Sequence, residues 1–381
     1  MARAEAVSIP PGARPGGAYD RYVARLAAED KFSGVVLLSY RGRTVLSRSY
    51  GMADKERGIR NHEGVAFNLS SAGKPFGPVA LLQLVERGEV RLWDTVGRYL
   101  TGFPPEIADK VTIHHLLTGT SGLESPPEEL ARIFRSREEV SEFYGRWARR
   151  SKAVAAPGTP TDHAGVEVVV PAQIIEAVTG MTYWDYVREN IFARCGMTGT
   201  GFYTRPQWLT DEHIAHSYMR QADGTRVDAV RNLDKGSPDP FHPGKNPGRS
   251  FVDAPGDGGF ATAPDLVRFA RALTEGTVLS RPYAELATAP QRPLPPQGGG
   301  LTARTASAPV PADAAFGSYT MPVALVGGAW LKGRAGANPG SVASWNVYPD
   351  TGWVGVILSN YDDVPFHELI EREIRAVTGR P

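Results

Sequence analysis

The chain has 381 residues, and its 42 lysines and arginines nearly match its 41 aspartates and glutamates. That length buries a large core, as one domain with a big insertion or as two subdomains, and the balanced charge with no basic stripe excludes nucleic acid as a partner. No apolar run approaches the ~18 residues a membrane-crossing helix needs, and the lone cysteine, Cys195, excludes an internal disulfide framework and reads as a small semi-buried apolar residue.

Residues 1–18 are rich in proline and glycine and read as a loose lead-in. The first eleven, Met1 to Pro11, lack the apolar core of a secretory signal, so a cytoplasmic location is expected. Tyr19 to Ala28 reads as a helix. Phe32 to Ser39 and Thr44 to Tyr50 read as a β-hairpin around Tyr40-Arg41-Gly42-Arg43. Residues 71–87 read as a helix, and from Leu92 to Arg231 the pattern is mainly helical, with helices over Glu128 to Phe134, Val140 to Ala148, Val168 to Val178 and Tyr183 to Ile191. Ala263 to Leu273 is a further helix opened by Thr262 or Ala263-Pro264. Residues 284–315, rich in Pro, Gly and Ala, read as a long irregular loop and a lid candidate. Trp330, Val342 to Tyr348 and Trp353 to Ser359 are strand-like, and Phe366 to Val377 closes the chain as a helix. Strands at both ends with helices between them predict an α/β fold: an antiparallel sheet flanked by helices, with an inserted all-helical subdomain. The expected boundaries are 19–91 and 250–381 for the α/β part and 92–249 for the helical part. The site is expected between the sheet edge and the helical part.

The most informative stretch is Phe67-Asn68-Leu69-Ser70-Ser71-Ala72-Gly73-Lys74-Pro75-Phe76, which holds the only Ser-x-x-Lys of the chain. Residues three apart share a helix face, and a serine in the first turn has free N–H groups and the helix dipole behind it. A hydroxyl that attacks as an alkoxide needs a base and a stabilised anion, and this arrangement supplies both. The alternative is a solvated lysine beside a helix-capping serine.

The downstream stretch Leu81 to Asp94, then Val111-Thr112-Ile113-His114-His115-Leu116-Leu117-Thr118-Gly119-Thr120-Ser121-Gly122-Leu123, Ile174-Ile175-Glu176-Ala177-Val178-Thr179-Gly180, Gly258-Gly259-Phe260-Ala261-Thr262 and Val347-Tyr348-Pro349-Asp350-Thr351-Gly352 follow in order. Together they resemble the serine β-lactamase and DD-peptidase superfamily, in its class C β-lactamase, family VIII carboxylesterase and lovastatin-type acyltransferase branch, over about residues 20 to 378. The resemblance implies the β-lactamase/DD-peptidase-like fold, with Ser71 as nucleophile and Lys74 as its neighbour. It also implies a Tyr-x-Asn-type loop, but after Pro157-Gly158 this chain reads Thr159-Pro160-Thr161-Asp162-His163-Ala164-Gly165, so His163 stands in the tyrosine's place and Gly165 in the asparagine's. Imidazole is a competent base near neutral pH; the plainer reading makes His163 a loop residue left after that role was abandoned. The third element, a Lys-Thr-Gly or His-x-Gly strand, is here Gly333-Arg334-Ala335-Gly336-Ala337-Asn338-Pro339-Gly340. Arg334 replaces the usual lysine or histidine; it stays charged and can hold a substrate carboxylate or phosphate or lower the pKa of Lys74, unless it points to solvent or pairs with an acid. Gly336 suits a strand that approaches substrate closely. By resemblance, the oxyanion hole is the backbone N–H of Ser71 and of Ala337.

His213-x-x-His216 has helix-compatible spacing but no further ligand pattern, so neither metal nor organic cofactor is expected. Gly256-Asp257-Gly258-Gly259 reads as a turn ahead of the 263–273 helix rather than a phosphate cradle. The expected activity is that of an acyl-serine enzyme, hydrolase or transacylase, on an ester, thioester or amide of a small, specialised metabolite. The rival is a non-catalytic small-molecule-binding protein on a degenerate scaffold, since two of three elements are altered.

Overall fold

A computed structural model describes residues 9–161, 165–240, 243–294 and 312–379. The main sheet has eight antiparallel strands: β1 Gly34–Tyr40, β2 Arg43–Tyr50, β3 Arg292–Pro293, β4 Ala314–Gly317, β5 Val323–Val326, β6 Ala329–Asn338, β7 Ser341–Tyr348 and β8 Trp353–Ser359. Their spatial order is β3-β4-β5-β6-β7-β8-β1-β2, so the two ends of the chain meet where β1 pairs β8, from Gly34↔Ser359 to Tyr40↔Trp353.

Both faces of the centre of the sheet are covered. β7 and β8 are buried throughout, and alternate residues of each strand enter different cores, as a period of two requires. Val35, Leu37, Trp345, Val356 and Leu358 join one core. Val36, Leu38, Val342, Tyr348 and Ile357 join the other. The first core also takes the helices α2 Phe76–Glu86, α3 Arg137–Arg149, α4 Val166–Thr179 and α5 Ala263–Glu275. The second is closed by α1 Ala18–Ala28 and the chain's last helix, Phe366–Thr378. Residues 9–17 include a short turn, Pro11–Ala13, whose Ala13 is buried in that second core.

The hairpin and closing helix stand where the sequence pattern put them. Glu128 to Phe134 does not form a helix. Its backbone is committed elsewhere: the Phe134 N–H donates to Arg249 O, and Leu130 O accepts from Arg249 Nη1 at 2.8 Å. The 284–315 segment is more ordered than expected at its ends. The helix α6 Arg281–Thr288 and strands β3 and β4 occupy them, while 295–311 lie outside the described residues. The stretch from Leu92 to Arg231 also holds two small strand pairs, Leu123–Glu124 with Lys152–Ala153 and Tyr218–Arg220 with Arg226–Asp228.

One carboxyl is sealed between the closing helix and the sheet. Glu373 is fully buried; its Oε1 accepts from Asn346 Nδ2 at 2.9 Å and Tyr348 Oη at 2.8 Å, while Oε2 has no hydrogen-bond partner among the described residues. The slot exists because Gly355 has no Cβ; a methyl there would collide with the carboxyl. Burial pushes this carboxyl up to about 7, against the two hydrogen bonds. The native state therefore holds a proton that the unfolded chain has already released, and the stability this confers is lost as pH rises from about 4.3 to about 7. We predict that Glu373→Gln, which keeps the acceptor and cannot ionise, gains in Tm on the wild type as pH rises from 5 to 8, by about 2 °C or more at pH 8. A gap between variant and wild type that stays constant across that range contradicts the assignment.

Candidate active site

Ser71 sits in a tight 3-10 turn, Ser70–Gly73, between the short strand Phe67–Asn68 and α2. Pro75 separates this turn from the α-helix, so the single helix expected over 71–87 is a turn followed by Phe76–Glu86. The turn is held from three sides. From behind, Leu69 N–H donates to Gly259 O at 2.9 Å, and Gly73 packs so closely on the Gly258 carbonyl that a Cβ there would collide with it. From the sheet, Trp345 Nε1 donates to Ala72 O at 2.9 Å. From the side, β6 lies against the turn at Gly336. A Cβ on Gly336 would stand 2.7 Å from Ser71 N and would also collide with Leu69 O and Ala72 N.

Beyond Lys332, β6 has no strand on its outer edge, because β5 pairs only as far as Val323↔Lys332. The Ser71 turn occupies that edge. Ala337 O accepts from Ser70 Oγ at 2.8 Å, so the peptide edge of Ala337 faces the turn and not β7. In an extended strand the N–H and C=O of one residue share an edge, so Ala337 N–H also faces the turn. No backbone or side-chain acceptor among the described residues takes the Ser71 N–H. Two amide donors, from residues 71 and 337, thus border one space.

Lys74 and Arg334 are partly buried beside Ser71. Arg334 Nε donates to Ser71 O at 3.2 Å. Among the described residues no carboxylate closes an ion pair with Lys74. Burial above all lowers its pKa; the charges of Arg334 and Lys245 push the same way, and Asp257 and Glu128 oppose them. Burial likewise lowers the pKa of Arg334, again opposed by Asp257. Lys332, two residues along the same face of β6, is engaged by donating to Thr288 Oγ1 at 2.8 Å.

The structure brings together Ser71, Lys74, Arg334, Gly336 and Ala337. Asp162, His163 and Ala164 lie outside the described residues. The flanks of that loop are tied down: Thr161 N–H donates to Gly119 O, and Thr161 Oγ1 donates to Glu167 Oε1 at 2.6 Å. The same Glu167 oxygen accepts from Ser121 N and Oγ. Cys195 is half-buried, and burial pushes its thiol up to about 11, away from nucleophilic use. His213 and His216 part company: His216 is buried on Asp228, and His213 is exposed beside Asp211. No group of three or more metal-ligating side chains occurs among the described residues.

Sequence reasoning missed the carboxylates. Asp257 comes from the 256–259 stretch read as a plain turn, and Asp253 lies just ahead of it. Asp253 Oδ2 accepts from Gly259 N–H at 2.7 Å, and burial together with the charge of Asp257 pushes its carboxyl up to about 6. Tyr144 of α3 packs among Phe134, Phe143 and Trp147, and burial above all, with the charges of Glu128, Asp257 and Asp253, holds its phenol un-ionised. Nothing in the local pattern of 128, 144 or 253 marks these residues; only the fold gathers them.

The sequence model of the β-lactamase family matches residues 19–379. The chain belongs to that family. Among curated relatives, Bacillus subtilis (strain 168) PbpX is 27% identical over 250 residues, which are 66% of this chain and 57% of PbpX. This β-lactamase-family chain therefore spans little more than half of that relative. Esterase EstB of Burkholderia gladioli is 44% identical over 93 residues, 23% of this chain and 24% of EstB. Among solved structures, the penicillin binding protein from Bacillus halodurans superposes with a TM-score of 0.73 at 21% identity, covering 93% of this chain and 98% of that one. The D-amino acid amidase from Ochrobactrum anthropi SV3 gives 0.73 at 21% identity, covering 95% and 98%. At those identities the superpositions establish the shared fold, a large antiparallel sheet with helices around it.

The charges around Lys74 predict opposite shifts in the pH dependence of Ser71 acylation. Arg334→Gln removes a cation that lowers the Lys74 pKa, so the rising limb of the rate moves to higher pH; Asp257→Asn removes an opposing carboxylate, so the limb moves to lower pH. Stopped-flow acylation by an activated ester reads both, and limbs that stay in place in both variants rule out Lys74 as the titrating base.

Proposed function

We propose that this chain is an acyl-serine enzyme that opens an ester, thioester or amide of a small molecule, with Ser71 as nucleophile. The observation that supports it most is the pair of amide donors of Ser71 and Ala337 beside a lysine whose pKa is lowered by burial. Ser71 Oγ attacks the carbonyl carbon, and its proton passes to the neutral Lys74 amine, assisted by the His163 imidazole. The negative charge that grows on the carbonyl oxygen is met by the two amides, in the manner that gives most acyl-transfer enzymes their largest single rate term. The tetrahedral species collapses, the leaving group departs with a proton, and Ser71 is left acylated. Water or a second nucleophile then attacks the acyl carbon, releases the acyl group and restores the hydroxyl.

Arg334 has two parts to play. Its Nε holds the Ser71 carbonyl, which fixes the turn, and its charge keeps Lys74 less protonated. Its remaining N–H groups take an acidic or polar part of the substrate in this reading. Replacement of the loop tyrosine and of the strand lysine or histidine argues against ordinary β-lactamase or cell-wall peptidase action. We favour esterase or acyl-transfer chemistry on a specialised metabolite in the cytoplasm.

The test is covalent labelling. A fluorophosphonate or an activated p-nitrophenyl ester is expected to leave a mass adduct on Ser71, and Ser71→Ala abolishes it. His163→Ala slows the labelling by about 10²-fold or more, because the imidazole assists that proton transfer. An unlabelled Ser71 would identify a binding protein on a retired scaffold, and a His163→Ala rate equal to wild type would remove that residue from the mechanism.

A further inference from the structure

We propose that Ser70, the residue before the nucleophile, is a positioning residue whose side chain fixes the second oxyanion donor against the Ser71 turn. The inference rests on the acyl-serine reading above.

Ser70 has a backbone φ of +47°, in the left-handed region that non-glycine residues rarely enter. Only Asp30 and Arg41 share a positive φ among the described non-glycine residues, and both lie in exposed turns. Ser70 is buried. Such a conformation persists only where the surroundings over-determine it. Here they do. Ser70 N–H donates to Asn68 Oδ1 at 3.2 Å, and Gly258 presses on the Ser70 backbone so closely that a Cβ there would lie 3.2 Å from its O and 3.3 Å from its N.

Glycine would enter this conformation without strain, but glycine has no hydroxyl. Among the described residues the hydroxyl of Ser70 makes one hydrogen bond, to Ala337 O at 2.8 Å, and this bond links the nucleophile turn to β6 across 267 residues of sequence. Ala337 is the residue whose N–H is the proposed second donor. Because its C=O and N–H lie on one edge of the strand, holding the C=O sets where the N–H points relative to Ser71 N. An oxyanion donor acts only when it lies close to where the charge develops, and a loosely supported one loses most of its effect. The strained serine is therefore placed where it ties the two donors together.

Two substitutions separate this role from a merely structural one. Ser70→Ala removes the hydroxyl and keeps the strained Cβ. Ser70→Gly removes the hydroxyl and the strain. If the hydrogen bond positions the donor, both variants lower the saturating rate of acylation by a p-nitrophenyl ester about 10-fold or more, and the half-saturating ester concentration changes less than about twofold. Thermal melting splits them, with Ser70→Gly at or above Ser70→Ala. A Ser70→Gly enzyme that acylates at the wild-type rate, with loss confined to the less stable Ser70→Ala, overturns the inference while leaving the nucleophile in place. A wild type that never acylates at Ser71 overturns the acyl-serine reading and this inference with it.

Discussion

A missing Cβ at position 336 lets a sheet strand lie directly on the turn that holds Ser71. The distance from that absent methyl to Ser71 N, 2.7 Å, leaves room for no other residue. Everything else at the site follows from this approach. It brings the free edge of β6 against the turn and sets Ala337 opposite Ser71. It also carries Arg334, two residues earlier on the same face, to the Ser71 carbonyl. The large buried sheet is the rigid support for this contact, and its central strands are covered on both faces by helices that seal out water.

The electrostatics of the site are a balance of nearby opposite charges. Lys74, Arg334 and Lys245 stand against Asp253, Asp257 and Glu128. Burial is the larger effect on Lys74, so its amine moves towards the neutral form despite two carboxylates within reach. A lysine in a closed ion pair would be held as an ammonium and be useless as a base. Asp253 resolves its own burial differently: it takes the Gly259 N–H, and through Gly259 O, which accepts from Leu69, the carboxylate is linked to the Ser71 turn. The carboxylates are thus partly structural supports of the turn and partly a counterweight to its cations.

Much of this was legible in the sequence, for identifiable reasons. The terminal strands and helices announce themselves by period and by turns such as Tyr40-Arg41-Gly42-Arg43, and the Ser-x-x-Lys stretch and Gly336 are local patterns. What failed to show was nonlocal. The 128–134 segment has helical periodicity, but its hydrogen bonds are taken by Arg249, more than a hundred residues away. The acidic residues at 128 and 257 share no motif with Lys74 and act on it only in the folded chain. Ser70 looks like an ordinary neighbour of Ser71 in the sequence; its left-handed backbone and its bond to Ala337 are tertiary facts.

The claim on which the account stands is that the amides of Ser71 and Ala337 form one anion-binding space. A crystal structure of the fluorophosphonate adduct at Ser71 tests it directly. The account predicts a phosphonyl oxygen within about 3.1 Å of both amide nitrogens. A phosphonyl oxygen turned to solvent, with Ala337 N–H bonded to another part of the chain, would contradict it.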